Sequence, residues 1–142
     1  MKLMDVLAAK GTRVYTITTS ATVQEAIKAL ADANIGALIV VGVGGTPIGI
    51  LSERDVIRRM ASATEVRSAN VGDLMSSPIV TGSPSDDADA VLRMMTVRRF
   101  RHLPVLDEGE LIGMVTIGDL VKAELLEFRG TVETLETRLL ES

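Results

Sequence analysis

The 142-residue chain is long enough for one ordinary domain or two small halves sharing an interior. Its 46% hydrophobic and 24% charged residues suit a folded protein and exclude intrinsic disorder. A net charge of -4 has the wrong sign for neutralising nucleic-acid phosphates, and Tyr15, Phe100 and Phe128 are too few aromatics to stack single strands. The absence of cysteine excludes disulfides and thiolate chemistry, and a single histidine, His102, excludes a histidine metal cluster.

The start of the chain lacks the long apolar run of a secretion signal, so a soluble, cytoplasmic protein is expected. A short helical candidate, Leu3 to Leu7, precedes a β-branched segment, Val14 to Ile17. Thr22 and Glu25 then have capping-box spacing, opening a helix with Val23, Ala26, Ile27 and Leu30 on one face. Two apolar runs follow, Leu38 to Val41 and Ile48 to Leu51, joined as a hairpin by Gly42 to Pro47. This uncharged stretch from Asn34 to Leu51 could suggest a membrane span, but its five glycines and Pro47 break it. The same Gly-rich turn is no phosphate-binding fingerprint, because a strand follows it and not a helix.

A helix starts at Ser52, and the linker from Arg58 to Ser77 contains a second short helical candidate, Val71 to Met75. The series then recurs: a strand at Ile79 to Thr81, a helix opening at Asp86, Asp87 and Asp89, strands Leu103 to Leu106 and Leu111 to Val115, and a helix from Thr116. The three acids sit where a helix start favours them, so capping is preferred over a Mg²⁺ site. The last helix runs long, with a weak point at Gly130. Val121, Leu125, Phe128, Val132, Leu135 and Leu139 recur on it at coiled-coil spacing, which predicts a partner helix and, most simply, a homodimer.

The recurrence is an internal duplication. A shift of 65 places Thr16 on Thr81, Leu38 on Leu103 and Val40 on Val105; a shift of 64 places Gly49 on Gly113, Ser52 on Thr116 and Asp55 on Asp119. Each copy is a β-α-β-β-α unit too small to stand comfortably alone. The predicted fold is therefore α/β (α+β): two such repeats packed with pseudo-two-fold symmetry, plus a long C-terminal helix. Clefts between the halves are the natural ligand positions.

Ser52-Glu53-Arg54-Asp55 and its echo Thr116-Ile117-Gly118-Asp119 both follow a strand and open a helix. Two roles fit them. One is a helix cap, hydroxyl to amide, with an acid in the first turn. The other is a ligand site in which helix-start amides hold phosphate and the Asp accepts from a ribose diol. The basic cluster Arg98, Arg99, Arg101 and His102 is likewise divided between a solvated helix end and phosphate contact, and His102 reads as a cleft-wall residue in preference to a general base.

Over residues 1 to about 124 the chain resembles a tandem pair of CBS domains, the cystathionine β-synthase domain. The resemblance rests on Thr22-Val23-Gln24-Glu25-Ala26, Ile35-Gly36-Ala37-Leu38, Gly49 to Asp55, Phe100 to Val105 and Gly113 to Asp119. It implies a first repeat with its N-terminal helix at 1-66, a second at 67-124 and a C-terminal extension at 125-142. It further implies a stand-alone regulatory module, an energy or redox sensor, that binds AMP, ADP, ATP, NAD(H) or S-adenosylmethionine in the cleft and requires no cofactor. The residues it carries over are Asp55 and Asp119 for ribose, Ser52, Thr116 and Arg54 for phosphate, Thr16 and Thr81 beside the base, and Ala37 and His102 on the wall, with Arg101 beside them. Gly118 at the Arg54 position makes the two sites unequal. The implied partners are a second copy and an effector protein, with neither nucleic acid nor membrane. The rival readings are a structural dimerisation module with empty clefts and a small-substrate enzyme using Asp55 or Asp119 as base, which lacks an identifiable nucleophile and base pair.

Overall fold

The computed structural model describes residues 1–62 and 65–141. In chain order its elements are α1 (Leu3–Lys10), β1 (Thr16–Thr18), α2 (Val23–Ala33), β2 (Ala37–Val41), β3 (Pro47–Ser52), α3 (Glu53–Ser62), α4 (Val71–Leu74), α5 (Ala88–Arg98), β4 (His102–Asp107), β5 (Glu110–Thr116) and α6 (Ile117–Glu141). β1 pairs parallel with β2 and β2 antiparallel with β3; β4 and β5 form the second hairpin. The capping signal at Thr22 is realised, its hydroxyl accepting from the Glu25 amide at 3.1 Å. Asp87 does the same for α5, accepting from the Ala90 amide at 2.9 Å.

The duplication extends to irregularities. Both hairpins shift register at equivalent positions, between Val40 and Val41 and between Val105 and Leu106. Asn34 and Arg99 both end their helices in the left-handed conformation. The expected strand at Ile79 to Thr81 does not form. In its place a single parallel bridge joins Gly82 to Val105, in the register that Ile17 and Val40 occupy in the first half. On the partner strand Pro104 stands where Ile39 stands in the first half; Ile39 donates its amide to the Tyr15 carbonyl, and proline has no such donor to give. The Gly82 amide still donates to Pro104 and its carbonyl accepts from Leu106, both at 2.9 Å.

Two hydrophobic clusters form the interior. One contains Ala26, Leu30, Leu38, Val40, Leu51 and Val71; the other contains Leu3, Val6, Leu7, Val91, Met95, Leu103, Val105, Val115 and Leu120. Drawing the first repeat as 1-66 puts α1 with it, yet Leu3, Val6 and Leu7 are buried in the core of the second half. The linker helix α4 is correspondingly buried against the first half through Val71. Both helices lie close to a glycine in a hairpin strand. A Cβ on Gly49 would come within 2.6 Å of Met75 Sδ and 3.0 Å of the Ser76 carbonyl, and one on Gly113 within 2.7 Å of Leu7. α6 continues without a break through Gly130 to Glu141, leaving Val121, Leu125, Phe128, Val132, Leu135 and Leu139 exposed.

Candidate functional site

The two hairpins turn their helix-opening ends toward each other and enclose a cleft of about 640 Å³. The first half contributes Gly36, Ile50, Ser52, Glu53, Arg54, Asp55 and Arg58, with Ser76 from the linker. The second half contributes Arg99 to His102 and Thr116 to Gly118. Of the residues singled out by sequence, Ser52, Arg54, Asp55, Arg101, His102 and Thr116 therefore line one space. Thr16, Ala37, Thr81 and Asp119 are not on its wall. Thr16 is exposed on β1, Thr81 is exposed outside any strand, and Ala37 is buried in β2 opposite Ser52.

Local bonding at the two helix starts is nearly the same. The Ser52 amide donates to Asp55 Oδ2 at 2.8 Å and the Asp55 amide returns a bond to Ser52 Oγ at 3.2 Å. The Thr116 amide donates to Asp119 Oδ2 at 2.9 Å and the Asp119 amide to Thr116 Oγ1 at 3.1 Å. Glu53 and Ile117, the first helical residues, donate to the carbonyls of Gly36 and Arg101 at 2.9 and 3.1 Å. Two of the first three amides of each helix are thus already used. Among the described residues the Arg54 and Gly118 amides remain, far less than the open amide cradle expected from the sequence pattern.

What meets each carboxylate differs. Asp55 Oδ1 accepts from the neutral Ser76 hydroxyl at 3.2 Å, on the cleft wall. Asp119 is engaged by the Lys10 ammonium, which comes from α1 and also donates to the Met114 carbonyl at 2.8 Å. Burial pushes the Asp119 carboxyl up, but the Lys10 and Thr116 bonds outweigh it and hold the group below its usual range. His102 is shifted down, first by burial and then by the Arg101 charge, with Glu53 opposing. It is a neutral imidazole facing Gly36 across the junction, its Nε2 3.8 Å from where a Cβ on Gly36 would lie. Among the described residues no hydroxyl bonds to it.

The basic cluster separates on folding. Arg98 lies over the Phe100 ring, 5.8 Å from its centre, whereas Arg99 and Arg101 line the cleft. Sequence reasoning missed Arg58 and Ser76 as wall residues. Arg58 was within reach, being one helical turn beyond Arg54. Ser76 carried no signal, since only the docking of α4 brings it beside β3, where its backbone pairs with Ile50. No group of described residues has a metal-ligand arrangement, and no described helix is long and apolar enough to cross a membrane.

Comparison with known proteins agrees with this geometry. The chain is 34% identical over 142 residues to the mitochondrial CBS domain-containing protein CBSX3 of Arabidopsis thaliana, covering 94% of this chain and 69% of that one. It superposes on a protein with CBS domains from Burkholderia ambifaria with a TM-score of 0.82 and 38% identity, covering 89% and 95% of the two chains. A CBS domain protein of Pyrobaculum aerophilum, solved in complex with AMP, matches with a TM-score of 0.78 and 25% identity over 92% and 99%. The sequence profile of the CBS domain matches twice, at residues 9–62 and 71–126, and the chain belongs to the CBS domain family as a pair of such domains.

Proposed function

We propose that the chain is a regulatory module that binds an adenosine nucleotide in the cleft between its two repeats, with Asp55 the ribose-facing acid. The observation that carries this reading is the cleft itself, where a half-buried carboxylate and four arginines from both halves line one space of ligand size. Its neutral Ser76 partner is readily exchanged for the vicinal hydroxyls of a ribose. The AMP complex of the Pyrobaculum relative supports the ligand class. Regulation is favoured over catalysis because Ser52 Oγ is bonded to Asp55 and, among the described residues, no hydroxyl bonds to His102 for it to activate. A ligand that spans the cleft stabilises the arrangement of halves it touches, in proportion to its preference for that arrangement.

The exposed stripe of α6 supports self-association alongside ligand binding. The residues flanking it carry both signs; an antiparallel second copy would set Glu124 opposite Arg138 and Lys122 opposite Glu136, with Arg129 facing its own counterpart. Calorimetry with AMP, ADP, ATP, NADH and S-adenosylmethionine tests the ligand reading. Saturable binding of an adenosine compound, with a matching rise in melting temperature, is the expected result. Heats and melting temperatures that stay flat across the whole series leave only the structural module.

A further inference from the structure

The candidate ligands differ in charge, and the cleft is built to sort them by it. Arg54 and Arg58 approach from α3, and Arg99 and Arg101 approach from the opposite half, either side of Phe100. Among the described residues none of the four belongs to an ion pair; the pairs are Lys10 with Asp119, Lys28 with Asp32 and Arg67 with Glu65. The acids sharing this space are Glu53 and Asp55, and Asp55 already accepts from Ser52 and Ser76. This excess of cations sits in a molecule whose net charge is -4.

Backbone amides contribute little to anion binding here, because Glu53 and Asp55 have spent theirs on Gly36 and Ser52. A phosphate in the cleft is therefore held by guanidinium groups, which suit several oxygens on adjacent phosphates. Arginines gathered in one cleft from two halves repel in the absence of an anion, so each added phosphate supplies a partner and relieves that repulsion. We infer that the cleft selects nucleotides with two or more phosphates, disfavouring the monophosphate and still more the cationic S-adenosylmethionine. This selectivity rests on the nucleotide reading above.

The test is calorimetry on the full chain, without divalent cations and at two salt concentrations, using AMP, ADP, ATP, S-adenosylmethionine and inorganic tripolyphosphate. ATP is expected to bind roughly tenfold or more tighter than AMP, with ADP between them and S-adenosylmethionine weakest. The ATP dissociation constant should rise more steeply with salt than that of AMP. Tripolyphosphate should compete with ATP. The double variant Arg58→Gln/Arg99→Gln, changed only at exposed side chains, should weaken ATP by a larger factor than AMP and bring the two close together. Equal affinity for AMP and ATP, or tighter binding of S-adenosylmethionine, overturns the selectivity and leaves the nucleotide reading standing. Binding of tripolyphosphate with no adenosine compound keeps the polyanion preference and removes the nucleotide reading. Binding of neither removes both.

Discussion

Asp55 and Asp119 are the same residue in the same place of two copies, and their neighbours separate them. Each accepts from its own N-cap amide, but one meets a hydroxyl and the other an ammonium. Asp55→Ala is expected to weaken ribose-bearing ligands more than inorganic phosphate in calorimetry; equal losses would remove the diol role. Lys10→Met should act on stability instead. Asp119 is held below its ordinary range in the fold, so its contribution is complete above about pH 4 and is lost as the pH falls through the depressed folded value. Without Lys10 only the Thr116 bonds oppose burial, so the folded value rises and that loss begins at higher pH, with about 1 kcal/mol less stability near neutrality, measurable by urea unfolding between pH 3 and 7. The sequence made both acids visible through the duplication. It could not show Lys10 or Ser76 beside them, because Lys10 arrives on α1, 109 residues away, and Ser76 on the bridge that follows α4, 21 residues away.

Elements were largely legible because hydrophobic periodicity and caps acted locally: the hairpins, the Thr22 cap and both short helices formed where the pattern put them. The one strand that failed, Ile79 to Thr81, lacks a donor on its partner strand, where Pro104 replaces the Ile39 amide of the first half, and apolar content alone does not show that. The two glycines under α4 and α1 carry unequal constraint. Gly49→Ala meets a backbone carbonyl as well as Met75, whereas Gly113→Ala meets only the flexible end of Leu7. Thermal or urea unfolding should show the former costing about 1–3 kcal/mol and the latter less. In α6 the apolar stripe lies exposed beyond the reach of either core, and truncation after Lys122 is expected to lower the mass measured by light scattering. An unchanged mass would exclude self-association through this helix.

At the scale of the molecule, the duplication predicted two packed halves, and equivalent bulges, left-handed caps and buried glycines bear the symmetry out. What chain order concealed is which half each short helix serves. Packing is decided by shape complementarity over long separations, and α1 has no local mark naming Leu103 and Val115 as its neighbours. Because Leu3, Val6 and Leu7 complete the far core while Val71 completes the near one, the chain is laced through itself. Severing it between the repeats therefore cannot release two autonomous pieces. A fragment beginning at residue 67 should be poorly structured by circular dichroism and regain order when a peptide of residues 1–12 is added, whereas one that folds alone would show the lacing to be dispensable.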